Sequence, residues 1–166
     1  MKWTIILCLM LCLIIPTTIE AKKKPFGNGL YWELSDNGVL TISGRGNMPN
    51  YAYDKYKNAP WAKKQYNKVI IEEGISSIGD YSFRFGSMSS IEIAPSVTII
   101  GKGSFAGCKY LSSLNIPSSV IRIERYAFGA CDMLSSVVIP NSVMSIGEYN
   151  QEIKGETNVE IIPVIA

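Results

Sequence analysis

The sequence predicts a mainly β solenoid, a chain wound into stacked coils with a parallel sheet along one side. Three observations predict it. Val97 to Ser119 (VTIIGKGSFAGCKYLSSLNIPSS) is followed by Val120 to Ser142 (VIRIERYAFGACDMLSSVVIPNS) and a new opening at Val143-Met144-Ser145-Ile146-Gly147, with a slightly short copy, Ile75 to Ser96, ahead of them. Val97, Val120 and Val143 set a period of 23 residues, inside the range of leucine-rich repeats and far from that of helix-pair arrays. Each copy also carries one short β-branched run, and in the later copies a proline ends it. The expectation is therefore a leucine-rich-repeat solenoid with a parallel sheet on one side, short irregular or 3-10 arcs, and a β-hairpin cap at its N-terminal end.

Four segments follow from this reading: a leader at 1–21, a front region at 22–67, the repeats at 68–147 and a degenerate last repeat at 148–166. Met1-Lys2 is a short positive start, Trp3 to Ile15 an unbroken apolar run, and Ile19-Glu20-Ala21 ends on a small residue where a signal peptidase needs one. Residues 1–21 read as a secretion signal cut after Ala21. The apolar run is short for a membrane span, and no second one follows, so no transmembrane anchor is expected after cleavage. A lipoprotein signal ranks second, because Cys8 and Cys12 each follow leucine where a lipid-modified cysteine usually follows a small residue.

In the front region, Lys22-Lys23-Lys24 reads as a flexible start. Within Gly29 to Gly44, two runs rich in aromatic and β-branched residues flank Asp36-Asn37-Gly38, a turn in which Asn37 and Gly38 can adopt positive φ, so a β-hairpin is predicted. Alternation places Leu30, Trp32 and Leu34 on one face, while Val39 leaves the register of the second strand open. Arg45 to Asn67 is dense in Tyr51, Tyr53, Tyr56, Trp61 and Tyr66 among lysines. Such interleaving suits base or sugar stacking, but an exported chain makes nucleic acid an improbable partner. A terminal coil must also cover its apolar edge, and plugging the open end is the favoured role.

Within the repeats each slot has a stacking job. Val69-Ile70-Ile71, Ile91-Glu92-Ile93, Leu114-Asn115-Ile116 and Val137-Val138-Ile139 are short strands whose outer residues point inward by the period of two. Pro117 and Pro140 end them, since proline offers no N–H to the ladder. Ile75, Val97, Val120 and Val143 turn the chain inward, and Ile78, Ile100, Ile123 and Ile146 are a second anchor. Phe83, Phe105 and Phe128 fill the broad end, and Leu111 and Leu134 bring the chain back. In the fourth copy the Phe slot falls on Gln151, yet counting on by one period maps Ile139-Pro140 onto Ile162-Pro163. A last strand is expected there, closing the sheet.

Of the four cysteines, Cys8 and Cys12 leave with the leader, and Cys108 and Cys131 sit one period apart. Coils about 4.8 Å apart fall within the roughly 4.4–6.8 Å that a disulfide tolerates. A bridge and a ladder of buried free thiols both remain open. The frequent burial of Cys favours the ladder.

The I-G-x-x-x-F-x-x-C-x-x-L-x-x-L-x-I-P-x-S-V repeat, the W-x-L-x-x-x-G-x-L-T-I-S-G-x-G-x-M-P hairpin and the linking Ala59-Pro60-Trp61 occur together. On these motifs the chain resembles the bacterial surface antigen (BspA-like) leucine-rich repeat proteins over about residues 29 to 147. It departs from their pattern at Gly86, where the Cys is missing, at Glu124, which replaces the usual Gly, and in the tail. The resemblance implies an exported or surface-displayed protein, in some members linked to adhesion to host matrix proteins or other cells. It carries no catalytic residues over to this chain.

The residues themselves point away from chemistry. The chain has no histidine, which removes Ser-His-Asp and Cys-His catalysis and the commonest metal ligand. Gly101-Lys102-Gly103-Ser104-Phe105-Ala106 spells a dinucleotide fingerprint, but Gly101 falls in the slot of Gly79 and Gly147, so a turn is expected. No enzyme, cofactor or metal is expected, and protein–protein binding is, with a glycan-acting enzyme or carbohydrate-binding module as the alternative. Net charge is +2, yet it divides unevenly: Lys22 to Lys68 holds nine Lys or Arg against three acids, and Val69 onward six against ten. Recognition candidates are the slots that vary between coils: Tyr81, Tyr126 and Tyr149 on the arc, and Glu92, Asn115 and Val138 on the outer sheet face. Oligomeric state and ligand identity are not written in the sequence.

Overall fold

The computed structural model describes residues 22–53, 58–147 and 160–163. The leader at 1–21, Tyr56, Tyr149 and the arc of the fourth copy lie outside the described residues.

The front supplies β1 (Lys24–Gly27), β2 (Leu30–Leu34), β3 (Val39–Gly44) and β4 (Gly46–Asn47). The repeats supply β5 (Lys68–Ile71), β6 (Ile75–Ile78), β7 (Ser90–Ile93), β8 (Ile99–Ile100), β9 (Ser113–Leu114), β10 (Arg122–Ile123), β11 (Ser136–Ile139) and β12 (Ser145–Ile146). A last strand, β13, spans Glu160–Pro163. No helix occurs among the described residues, and the fold is the expected repeat solenoid.

Two sheets, not one, line the coil. The first runs β1-β2-β3-β5-β7-β9, and the second runs β12-β10-β8-β6-β4. The second is built from the segments read only as inward anchors. Its parallel pairs Ser77 with Ile99 and Arg122 with Ser145 show that those anchors are themselves strands. Ile75, Ile78, Val97, Ile100, Val120 and Ile123 are buried as expected, whereas Ile146, on the last strand of this sheet, is 40% exposed.

The hairpin is present, with Trp32 opposite Ile42 and Leu34 opposite Leu40. Its loop has three residues, closed by Gly38 N–H to Ser35 O and Ser35 N–H to Val39 O, both 3.0 Å. Gly38 alone takes positive φ in that loop, at 81°, as a type I turn followed by a left-handed residue requires. Asn37 does not use the positive φ open to it. β3 then pairs in parallel with β5, Leu40 beside Val69 and Ile42 beside Ile71. The second hairpin strand is thus the first strand of the solenoid sheet. Lys24, expected in a flexible start, opens β1, which pairs antiparallel with β2.

β13 falls where a last strand is expected and pairs in parallel with β11, but not in the sheet that it was expected to close. The register differs by one residue: Ile161 lies opposite Val137 and Ile162 opposite Val138, where one period places them opposite Val138 and Ile139. The degenerate arc holds one residue more than a period. β11 and β13 form a sheet of their own, separate from the one that ends at β9.

Between the sheets, the arcs are turns whose N–H groups alternate in destination. Tyr81, Phe83 and Phe85 donate across to Lys102, Ser104 and Ala106 of the next coil at 2.8–2.9 Å, while Arg84 and Gly86 donate back to Tyr81 and Phe83. Gly103, Phe105 and Gly107 repeat the pattern toward Arg125, Ala127 and Gly129. This alternation makes two slots left-handed in every described arc: Tyr81, Gly103 and Tyr126 at φ 54–57°, and Phe85, Gly107 and Ala130 at φ 54–73°.

Candidate functional site

Phe83, Phe105 and Phe128 stack face to face at 5.5 and 5.8 Å between ring centroids. The front segment continues this column. Trp61 stacks on Phe83 at 5.6 Å, donates Nε1–H to Ser82 O at 2.8 Å, and meets Phe26 and Trp32 edge-on. Trp61 and Tyr66 are buried, and Tyr51 is half-buried against Trp61. Burial pushes the Tyr51 phenol up to about 12 and the Tyr66 phenol further. Trp61 and Tyr66, two of the aromatics that suited a sugar platform, are therefore spent on the core. Tyr53, by contrast, is 64% exposed.

Cys108 and Cys131 are free, buried thiols. Each donates to the main chain of the coil before it, Cys108 Sγ to Phe83 O at 3.0 Å and Cys131 Sγ to Phe105 O at 3.2 Å. Burial raises both, Cys131 to about 11 and Cys108 beyond that. A thiol held neutral and hidden is a poor nucleophile. Among the described residues no three His, Cys, Asp or Glu side chains gather as a metal site would need. The fingerprint-like Gly101 sits in a turn, where an added Cβ would lie 2.6 Å from Ile78 O.

The two candidate recognition rows lie apart, one on the first sheet and one on the arc. On the sheet, register continues Thr41-Ile70-Glu92 across β3, β5 and β7. Glu92 is exposed and pairs with Lys68 at 2.5 Å. Asn115 is exposed just past β9, and Val138, 53% exposed, stands on the separate β11. The sheet row is thus interrupted between Asn115 and Val138. On the arc, Tyr81 and Tyr126 are half-buried, and Tyr149 lies outside the described residues.

The arc carries a cluster that the sequence reading passed over. The Arg84 guanidinium lies 3.9 Å from the Tyr53 ring centroid and 4.2 Å from that of Phe85, and its Nη1 donates to Tyr53 O at 3.2 Å. Tyr53 meets Tyr81 edge-on at 5.7 Å, and the Lys102 ammonium stands 5.9 Å from the Tyr81 ring. Phe85 is 63% exposed. A signal was available: the period puts Phe85 in the slot of Gly107 and Ala130, a large residue among small ones. A shallow groove of about 360 Å³ crosses the second sheet nearby, lined by Asn50, Asp80, Lys102, Arg122 and Glu124 among others. Its polar groups largely satisfy one another: Asp80 Oδ1 accepts from Lys102 N–H, Asn50 Oδ1 from Asp80 N–H, and Arg122 pairs with Glu124.

Residues 56–161 match the model of the BspA type leucine rich repeat region, in six copies. Among solved structures the chain is similar to a leucine-rich repeat protein from Eubacterium ventriosum, with 30% identity and a TM-score of 0.64 over 86% of this chain and 44% of that one. It is also similar to a leucine rich cell surface protein from Faecalibacterium prausnitzii, with 23% identity and a TM-score of 0.53 over 74% and 38% of the two chains. The chain thus spans less than half the length of either. No match exists among curated proteins. With the repeat slots, the stacked phenylalanines and the family match in agreement, the chain belongs to the BspA-type leucine-rich repeat family.

Proposed function

We propose that this chain is an exported, surface-displayed protein without catalytic activity, which works by binding another protein, in adhesion to host matrix or to other cells. The observation that carries the reading is the Tyr53, Arg84 and Phe85 cluster, where two well-exposed rings hold a cation on an otherwise repetitive arc. Tyr and Arg concentrate at protein interfaces, Tyr because it buries much area at low entropy cost and keeps a polar tip, Arg because its planar fork binds carboxylates in two-pronged fashion. Tyr81 and Tyr126 extend this surface along the arc, and Glu92, Asn115 and Val138 form a second, more polar face. Export rests on the leader pattern of residues 1–21. The glycan alternative loses its main support, since Trp61 and Tyr66 are buried.

The test is a binding screen of the purified protein against purified extracellular-matrix proteins and, in parallel, a glycan array. Saturable binding to a matrix protein that survives deglycosylation of that protein supports the reading. Binding that tracks glycan structure alone overturns it.

A further inference from the structure

Phe85 has no evident reason to be phenylalanine. It is 63% exposed, so burial does not hold it, and its φ of 58° is a conformation that bulky side chains avoid. The same slot holds Gly107 and Ala130 in the next two coils. Its ring lies over Gly107, where an added Cβ would come within 2.2 Å of it, and the Arg84 guanidinium lies 4.2 Å from its centroid. Strain retained at an exposed position points to a use outside the fold.

Arg84 supplies the chemistry of that use. Its planar group is held between two rings and anchored through one Nη1 bond to Tyr53 O. No carboxylate pairs with it among the described residues, although the structure pairs Lys68, Lys109 and Arg122 with acids. A guanidinium with its orientation already fixed keeps N–H donors for a two-pronged bond and loses little entropy in making it. The Lys102 ammonium stands beside Tyr81, the ring that meets Tyr53 edge-on.

We propose that Tyr53, Arg84 and Phe85 form a docking site for an acidic peptide segment of a partner protein, in which one carboxylate takes the Arg84 fork and a neighbouring apolar side chain packs on Phe85. The proposal rests on the protein-binding reading and names the chemistry of the partner. Charge complementarity selects the carboxylate. The exposed face of Phe85 suits an apolar side chain next to that carboxylate, and an anionic sugar stacked on the ring is the rival that the glycan arm of the test separates.

The probe is an array of short peptides that place one Asp or Glu beside an aromatic or branched aliphatic residue, each printed next to its Asn or Gln counterpart, with sialylated and uronic-acid glycans alongside. The protein is expected to retain acidic peptides about tenfold better than their amide forms, as a charge-assisted bond implies. Arg84→Gln should erase that preference. Phe85→Gly should weaken acid and amide forms alike without lowering the unfolding midpoint, because glycine suits the backbone there. Equal retention of acid and amide forms, an unchanged preference in the Arg84→Gln variant, or retention of the glycans alone overturns the proposal. If both variants still bind the matrix protein found in the wider screen as the parent does, this site falls while the binding function stands.

Discussion

Ser104 Oγ is buried and has no hydrogen-bond partner among the described residues, while the same slot one coil earlier holds Ser82, whose hydroxyl donates to Gly79 O. One coil later the slot holds the buried Ala127. A buried hydroxyl left unpaired costs its desolvation with no return. Ser104→Ala is therefore expected to raise stability by about 1 kcal/mol, read as a higher urea midpoint with an unchanged slope; a fall of that size would show that the hydroxyl finds a partner. At this scale the sequence was legible where a side chain is apolar, periodic and covered by a coil on each side, and it failed at Ile146 on the last strand of the second sheet. The inward isoleucines, valines and phenylalanines were placed from spacing alone. Polar slots were not: Ser96, Ser119 and Ser142 donate to Ile75, Val97 and Val120 carbonyls of the preceding coil. A serine beside a turn reads as solvated surface until the neighbouring coil is known to lie against it.

At the scale of elements, the front region is a coil in disguise. β3 and β4 stand in for the two strands of a repeat, Trp61 takes the Phe column, and Tyr66 reaches the place where later coils put a thiol. This explains Gly86, which breaks the repeat where a Cys is usual: a Cβ there would lie 2.8 Å from the Tyr66 hydroxyl, 2.7 Å from Met88 Sδ and 2.9 Å from Phe83 O. Restoring the repeat by Gly86→Cys is thus expected to destabilise the protein by about 1–3 kcal/mol, as overpacking does, although it makes the sequence more regular. Chemical denaturation monitored at the tryptophans reads it, and a gain in stability would show that Tyr66 does not fill the slot. None of this was visible in the chain itself, because the front matches the repeat in shape and not in letters. The one-residue offset of β13 was hidden for a related reason: counting by the period assumes an arc of standard length, and the fourth arc has one residue more.

For the whole molecule, stacked coils imply stability summed over neighbours, yet the coils here are not interchangeable. An added Cβ at Gly101 would come within 2.6 Å of Ile78 O, and one at Gly103 within 2.5 Å of the Tyr81 ring. The second coil carries glycine where the first coil leans on it, and the third carries Glu124 and Tyr126 in those slots. Excising residues 98–120 removes one period and joins Val97 to Ile121 without disturbing the slot order. Simple addition then predicts only the loss of one interface, whereas these contacts predict more, since Glu124 and Tyr126 would meet Ile78 O and the Tyr81 ring. The excised chain is expected to regain stability when Glu124→Gly and Tyr126→Gly are added, by roughly the 1–3 kcal/mol that relieved overpacking returns. In the intact chain the same pair should give a smaller gain, because there the coil before Glu124 and Tyr126 carries Gly101 and Gly103 in those slots and no such clash has to be relieved. Urea midpoints of the four proteins measure the coupling. A pair that shifts both backgrounds equally would mean that the coils stack as identical units and that their order carries no information.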